Sequence, residues 1–306
     1  ILLAVEATPL TGLDAGDIIT YTLTLKHSNV SSGPAFDVQL TDLLHPQLEL
    51  LPGFTFVNVS DYTPVIASGD QAGDSSIDIA IPVFNISDND IVITYSARLR
   101  QSVSAGELIE LNPAVYFDTD PADGSASVGR QFTVTTPMST TVASASAGSL
   151  GSAGTVGSSD PSTNGNDVSI GEVIEFEFPI DFIEGTLYNT SAVFTLPPGL
   201  SFVGSSLAPG SQLNWTGSPE PADDAGSVVT FDFETLMNMF DNVDNNGGDR
   251  LVLRAAYVVT DIPSNVDGAD LTPVLTVSHD GAVLGTQSVT VVVKESVLEI
   301  ATGVDV

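Results

Sequence analysis

Apolar and polar residues alternate along most of this chain with a period of two, the pattern that places successive side chains on opposite faces of a β-strand. The clearest runs are rich in β-branched residues, and each is bounded by Gly, Pro, Asp or Asn. Five such runs are Ile18–Leu25, Ile91–Leu99, Val173–Ile180, Leu251–Val259 and Ser288–Val293. The pattern predicts an all-β chain whose short strands have the spacing of a β-sandwich.

One segment departs from this pattern. In Phe233–Phe240 (FETLMNMF), the residues Leu236, Met239 and Phe240 have the three-to-four-residue spacing of one helix face. The segment is short, so we expect one or two helical turns there at most.

A comparison of the chain with itself shows an internal repeat. The run Asp14–Leu25 (DAGDIITYTLTL) aligns with Ser169–Ile180 (SIGEVIEFEFPI) at an offset of 155 residues. Further matches pair Leu44–Leu50 with Leu196–Phe202, Tyr95 with Tyr257, Leu111 with Leu271, and the run from Arg130 with the run from Thr286. Two copies of one module are therefore present.

The repeat and the strand spacing predict two tandem β-sandwich domains, residues 1–140 and 141–296. The last residues, Val297–Val306, resemble the opening of the chain in their apolar pattern, so they predict the start of a further repeat or an exchanged strand. Between the modules, Ser139–Ser159 consists almost entirely of Ser, Thr, Ala, Gly and Val. This composition fits either a flexible linker or a weak first strand of the second module.

Two segments resemble a known family. Ala15–Gly53 (AGDIITYTLTLKHSNVSSGPAFDVQLTDLLHPQLELLPG) resembles the prokaryotic surface-repeat domain known as domain of unknown function eleven. Ser158–Phe178, with the later LPPGLSFVGSS, is similar to repeats of very large bacterial surface proteins described as fimbrial or adhesin-like. The resemblance implies an immunoglobulin-like sandwich in an extracellular, cell-surface array, and it implies no particular ligand.

Charge limits the partners that we expect. The chain carries 7 Lys and Arg against 39 Asp and Glu, a formal net charge of −32. Such a surface repels nucleic-acid phosphates and anionic lipid headgroups, so we expect no nucleic-acid binding.

No apolar run approaches the ~18 residues of a membrane span, so we expect no direct membrane insertion. Because the sequence begins at Ile1 without a signal-like segment, we expect a mature or excised fragment.

Few residues offer catalytic chemistry. The chain has no Cys, and His27, His45 and His279 do not have metal-ligand spacing. No Gly-x-Ser-x-Gly nucleophile motif is present, so we expect a non-catalytic protein. Some relatives of the resembling family form isopeptide bonds, a chemistry that needs a buried lysine. The two lysines, Lys26 and Lys294, follow non-equivalent strands, so we expect no such bond.

Two acidic loops are candidate calcium sites, because Ca²⁺ prefers six to eight oxygen ligands. The candidate ligands are Asp118, Asp120 and Asp123 in the first loop, and Asp241, Asp244 and Asp249 in the second. The alternative is that Asp, Asn and Gly only form turns there, with side chains that cap local backbone N–H groups. Ca²⁺ is the only cofactor that the sequence indicates.

Function is predicted at the level of a class. We expect a structural repeat segment, a stalk or spacer of a large surface or filament protein, whose partners are neighbouring repeats. A sharper version is a filament in which Val297–Val306 pairs with the sheet edge of a neighbouring module. The alternative is an adhesin module that binds a glycan or a protein through its end loops, and Ser205–Val229 is the longest candidate loop. Trp215 and Tyr62 alone do not define a carbohydrate site. Asn-x-Ser/Thr glycosylation sequons begin at Asn29, Asn58, Asn85, Asn189 and Asn214.

Overall fold

The structure, a computed structural model, describes residues 1–57, 63–120, 132–142, 153–161, 163, 165–221, 226–243 and 246–295. Every regular element in these residues is a β-strand, which confirms the predicted all-β class. No helix among them has the length and apolar character needed to traverse a bilayer. The chain divides into two compact units, Ile1–Ser144 with Phe240–Asn242 and Ala145–Met239 with Val243–Val306. We name them the first and the second module.

Twelve strands are described in the first module. They are β1 Leu2–Thr8, β2 Ile18–Lys26, β3 Ala35–Leu43, β4 Leu48–Leu50, β5 Thr55–Val57, β6 Val65–Ser68, β7 Ser76–Phe84, β8 Ile91–Leu99, β9 Leu108–Leu111, β10 Ala114–Asp118, β11 Phe132–Thr135 and β12 Met138–Thr141. One sheet has the order β1-β2-β8-β4, with β5 also paired to β8, and the other has the order β11-β10-β3-β7-β6. Strands β12 and β9 form a separate antiparallel pair.

The second module repeats this plan. Its strands are β13 Gly154–Ser158, β14 Asp167–Val168, β15 Val173–Asp181, β16 Gly185–Thr195, β17 Leu200–Pro209, β18 Leu213–Trp215, β19 Val228–Asn238, β20 Arg250–Val259, β21 Asp270–Leu271, β22 Val274–His279, β23 Ala282–Ser288 and β24 Val291–Val293. The sheets have the orders β13-β15-β20-β17 and β18-β19-β16-β22-β23, and β14, β24 and β21 form a third, small sheet.

Each module has its own core between two sheets. In the first module every second residue of β8 is buried, from Ile91 to Leu99, and Leu40 and Ile79 of the facing sheet join the same cluster. In the second module aromatic rings join the sheets, since Phe178 of β15 meets Phe194 of β16 edge-on at a centroid distance of 4.8 Å. This arrangement is the two-layer sandwich that the period-two pattern predicts.

The modules also share turn geometry. The N–H of Leu44 donates to the carbonyl of Ser75 at 2.9 Å, and the N–H of Leu196 donates to the carbonyl of Ser227 at 2.7 Å. These equivalent bonds confirm the offset of 152 residues between Leu44–Leu50 and Leu196–Phe202.

Two of the predicted repeat matches are wrong in register. Equivalent bonds join the N–H of Gly16 to the carbonyl of Leu99 and the N–H of Gly171 to the carbonyl of Val259. Tyr95 therefore corresponds to Ala255, two residues before the predicted Tyr257. In the closing strands, Ala114 pairs with Thr135 and Val274 pairs with Ser288. The alignment of the runs from Arg130 and Thr286 is consequently three residues out of register.

The predicted helical turns in Phe233–Phe240 are also wrong, because residues up to Asn238 belong to β19. Strand β19 is bulged at Glu234, which has a φ of +53° and pairs with Thr190 between two register shifts. A bulge adds a residue to one strand, so the buried positions Phe233 and Leu236 are three residues apart instead of two. The three residues of the predicted helix face, Leu236, Met239 and Phe240, instead run past the end of the strand at Asn238.

The segment between the modules contains a strand at its end. Strand β13 pairs antiparallel with β15, as β1 pairs with β2 at the start of the first module. Of the two alternatives for Ser139–Ser159, the weak first strand is therefore confirmed for Gly154–Ser158. Residues 143–152 lie outside the described part of the chain.

Candidate functional site

The predicted calcium ligands are only partly described. Asp118 lies half-buried at the end of β10 and Asp120 is exposed, whereas Asp123 and Asp244 lie outside the described residues. Asp241 is exposed. Within the described ranges, no group of three or more His, Asp or Glu side chains has an arrangement that could hold a metal ion. Calcium binding by these loops therefore stays a prediction.

Asp249 differs from Asp118, Asp120 and Asp241, the other predicted ligands that the structure describes, because it is completely buried. Its Oδ1 accepts a hydrogen bond from the side-chain amide of Asn238 at 3.1 Å, and its Oδ2 accepts one from the N–H of Asn246 at 2.9 Å. Asn238 also donates to the carbonyl of Phe182 at 2.9 Å. The carboxylate therefore fastens the acidic loop to the end of the sandwich, the turn-forming role that was the alternative to metal binding.

The histidines each bond a backbone group. His27 Nε2 lies 3.0 Å from the carbonyl of Phe84, His279 Nδ1 lies 2.6 Å from the carbonyl of Tyr188, and His45 Nδ1 accepts the N–H of Gln47 at 3.3 Å. All three imidazoles thus serve local structure.

A buried polar cluster lies in the core of the first module. The ring of Tyr21 stacks on that of Tyr95 at 5.1 Å, and the hydroxyl of Tyr95 donates to Asp42 Oδ2 at 3.0 Å. Burial raises the pKa of Asp42 to about 6, although the hydrogen bond from Tyr95 acts in the opposite direction. Burial together with the charge of Asp42 also raises the pKa of both tyrosines. Lys26 and Lys294 are both exposed, so neither lysine joins this cluster.

The second module joins β14, which follows its first strand β13, to its last strand through a parallel pair, β14 with β24. The N–H of Val292 donates to the carbonyl of Asn166 at 2.8 Å, and the N–H of Lys294 donates to the carbonyl of Val168 at 2.7 Å. The side chain of Asn166 adds a bond to the carbonyl of Thr290 at 2.8 Å. We name these three bonds the terminal clamp.

The first module closes in another way. The hydroxyl of Thr136 donates to the carbonyl of Leu3, and the hydroxyl of Thr140 donates to the carbonyl of Leu10, both at 2.9 Å. These bonds also join the beginning of a module to its end, but they come from side chains instead of a backbone ladder.

A cleft of about 360 Å³ opens in the second module between the edges of its two sheets. Strand β17 forms one wall and β18 with the following loop forms the other; the chain crosses between the sheets in the turn after Pro209. The lining residues are Ser205, Ser206, Leu207, Trp215, Gly217, Ser218, Pro219 and Glu220. The cleft lies within Ser205–Val229, but the prediction of one long loop there is wrong, because Ser205–Pro209 belong to β17, Leu213–Trp215 form β18 and Val228 begins β19. Tyr62, the other aromatic residue considered from the sequence, lies outside the described residues.

The indole of Trp215 lies half-buried in this cleft and meets Phe233 of the core at 5.5 Å and an angle of 73°. Next to it, the N–H of Gly217 donates to the carbonyl of Phe233 at 3.1 Å. A Cβ atom at Gly217 would lie 2.7 Å from the carbonyl oxygen of Asp232, so only glycine permits this close approach of the two strands.

Among the sequon residues, Asn29, Asn189 and Asn214 are exposed and Asn85 is half-buried, while Asn58 lies outside the described residues. Neither Asp42 nor Asp181 with its partner Arg250 was predicted from the sequence. Arg250 holds Asp181, which is 1% exposed, through two hydrogen bonds of 2.7 and 3.0 Å. For Asp42 the available signal was a charged residue in phase with the inward positions of β3, whereas Asp181 follows the inward Ile180 of β15 and gave no such signal.

No protein-family model matches the chain, and no curated protein matches it. Solved structures similar to it include bacterial adhesin and pilin domains. The BspA carboxy-terminal domain of Streptococcus agalactiae is 9% identical with a TM-score of 0.35, over 92% of this chain and 93% of that one. The major pilin subunit BcpA of Bacillus cereus is 9% identical with a TM-score of 0.32, over 92% of this chain and 60% of that one.

The collagen-binding domain of a Staphylococcus aureus adhesin is 14% identical with a TM-score of 0.29, over 44% of this chain and 96% of that one. At these identities and TM-scores, the similarities carry no argument about function. The resemblance to domain of unknown function eleven stays a prediction.

Proposed function

We propose that the chain is a non-catalytic structural segment of an extracellular surface or filament protein, in which each module transmits load along a stalk. The terminal clamp of the second module is the observation that carries this proposal. Once β13 has separated from β15, a force on both ends of the chain draws β14 toward its start and β24 toward its end. In a parallel pair these directions are opposite, so the hydrogen bonds are loaded in shear and resist together.

The duplicated architecture supports the same role. Each module has its own core, and arrays of such repeats lengthen by duplication. The net charge of −32 favours repulsion between neighbouring stalks and disfavours pairing of their sheet edges. The proposed partners are neighbouring repeats of the same protein. Val297–Val306, the proposed exchanged strand, lies outside the described residues.

Ligand binding by the second module is a second candidate function. The cleft between β17 and β18 favours it, because a half-buried aromatic ring with exposed polar groups around it is a common composition of ligand sites.

Single-molecule stretching of the whole chain tests the load-bearing role. We expect two unfolding events, each of which lengthens the chain by about 45 nm, the extended length of a module of this size. The stronger event belongs to the second module, since its clamp consists of backbone bonds loaded together. Val292→Pro removes the N–H that bonds Asn166 and should lower this force, whereas Val292→Ala keeps the N–H and should not.

Equal forces for Val292→Pro and the unchanged chain would contradict the role of the clamp. A single merged unfolding event would contradict the independence of the two modules.

A further inference from the structure

The cleft of the second module is lined by three kinds of polar or aromatic residue. Its aromatic surface is the half-buried indole of Trp215, and the exposed residues Ser205 and Ser218 carry hydroxyl groups, whereas Ser206 lies on the outward face of β17 beside Arg254. The exposed carboxylate of Glu220 completes the set. We propose that this cleft binds a neutral pyranose unit of an oligosaccharide. The inference rests on the ligand-binding candidate above and is independent of the load-bearing role.

The indole supplies the surface on which a sugar ring can stack. The face of an aromatic ring carries partial negative charge, and the C–H groups of a pyranose ring carry partial positive charge. Because Trp215 packs against the buried Phe233, its position is fixed before a ligand arrives. A preformed aromatic surface binds with little loss of side-chain entropy.

The polar groups of the cleft match sugar hydroxyls. Each serine hydroxyl can donate one hydrogen bond and accept others, as a sugar hydroxyl does. The carboxylate of Glu220 accepts hydrogen bonds from O–H donors, and such charge-assisted bonds are short and strong. The volume of about 360 Å³ lies near the lower end of the range for ligand pockets, which suits one or two sugar units.

The charge of the cleft selects among sugars. No Lys, Arg or His is among the described residues that line it, and its single charged side chain is the acid Glu220. A uronic acid, a sialic acid or a sulfated sugar would meet repulsion both here and from the net charge of −32. Neutral hexoses and N-acetylhexosamines meet none.

Trp215 is the only tryptophan of the chain, so its fluorescence reports on this cleft directly. We would titrate the full chain with neutral tetrasaccharides of glucose, galactose, mannose and N-acetylglucosamine, up to about 10 mM, since single-ring sites typically have weak, millimolar-range affinity. Tetragalacturonate is the anionic comparison. We expect a saturable change in emission with at least one neutral oligosaccharide and none with tetragalacturonate.

Variants connect the response to the cleft. Ser205→Leu fills the cleft from an exposed position, and we expect at least about a tenfold loss of affinity without a change in melting temperature. Trp215→Ala, measured by calorimetry, should lose binding to a similar extent. Tyr188→Ala is the matched control, because Tyr188 is 42% exposed in the same module and does not line the cleft.

No saturable response to any of the neutral oligosaccharides would overturn the proposal. So would binding that Ser205→Leu leaves unchanged. A parallel titration with an extended Val- and Thr-rich peptide examines strand addition along β17, and a response to the peptide alone would replace the sugar by a peptide ligand. Because the stretching experiment does not involve the cleft, a failure here leaves the load-bearing role untouched.

Discussion

Replacement of Asp42 by Asn should stabilise the first module at neutral pH and remove part of its pH dependence. The carboxyl group is 3% exposed and its pKa is raised to about 6 by burial. In the unfolded chain an aspartate titrates near pH 4. The folded state therefore holds the proton more strongly than the unfolded state does. Stability contributed by the protonated form is present below pH 4 and is lost as the pH rises through 6.

The size of the effect follows from the difference between these pKa values. A difference of about two units corresponds to about 3 kcal/mol between strongly acidic and neutral pH. About half of this, roughly 1.4 kcal/mol, is lost between pH 5 and pH 7.5. Asn keeps an oxygen that accepts the bond from Tyr95 but carries no charge. We therefore expect Asp42→Asn to raise the unfolding free energy at pH 7.5 by about 2 kcal/mol, and the melting temperature by about 5 °C.

Urea unfolding at pH 5.0 and pH 7.5, followed by circular dichroism, measures this effect. A lower pH is unsuitable because the isoelectric point is about 4.1, where association is favoured. The informative quantity is the difference between the variant and the unchanged chain, which cancels the titration of all other carboxylates. Asp70→Asn, an exposed position, is the matched control and should change stability by less than about 0.5 kcal/mol at either pH.

A difference that is the same at pH 5.0 and pH 7.5 would refute the reasoning. A variant less stable than the unchanged chain at pH 7.5 would also refute it, because the carboxylate would then stabilise the core through bonds that Asn cannot make.

Three further predictions concern the second module and the ends of the chain. Arg250→Ala removes the ion pair with the buried carboxylate of Asp181 and should lower the unfolding free energy, measured in urea, by about 2 kcal/mol. Arg254→Ala, the control, breaks an exposed ion pair and should lower it by about 0.5 kcal/mol or less. If the acidic loops bind Ca²⁺, the melting temperature rises with CaCl₂ beyond a NaCl control of equal ionic strength, and a chelator reverses the rise. If the end of the chain is an exchanged strand, deletion of Val297–Val306 abolishes assembly in light scattering, and unchanged assembly contradicts this role.

The strands could be predicted from the sequence because burial on one face of a sheet imposes an alternating pattern. This holds for β8, where buried and half-buried residues alternate without a break from Ile91 to Leu99. It fails in β19, where the bulge at Glu234 interrupts the alternation and the strand ends at Asn238, before two of the three residues that resembled a helix face. A bulge depends on the pairing partner as well as on the strand itself, so one segment alone does not reveal it.

The sites were predictable to a smaller extent. The segment that contains the cleft could be identified, because connections between short strands are a common location for binding groups, but its strands β17 and β18 were missed. The contact of Trp215 with Phe233 brings together two strands that pair only in the folded module, so it could not be inferred. The same holds for Asp181 and Arg250, which are neighbours only through the pairing of β15 with β20.

The two modules fill equivalent core positions with different residues. This difference bears on the free-energy cost of burying the carboxylate of Asp42. Counted from the shared turn, Asp42 and Phe194 both lie two residues before the turn leucine, and both are buried. Tyr95 in turn corresponds to Ala255. In the first core, these two positions hold a small acid, Asp42, and a large tyrosine, Tyr95. In the second core, the equivalent positions hold a large phenylalanine, Phe194, and a small alanine, Ala255. Because the apolar pair fills the same layer of the fold, the sandwich does not require a carboxylate there, and its removal should raise stability at neutral pH.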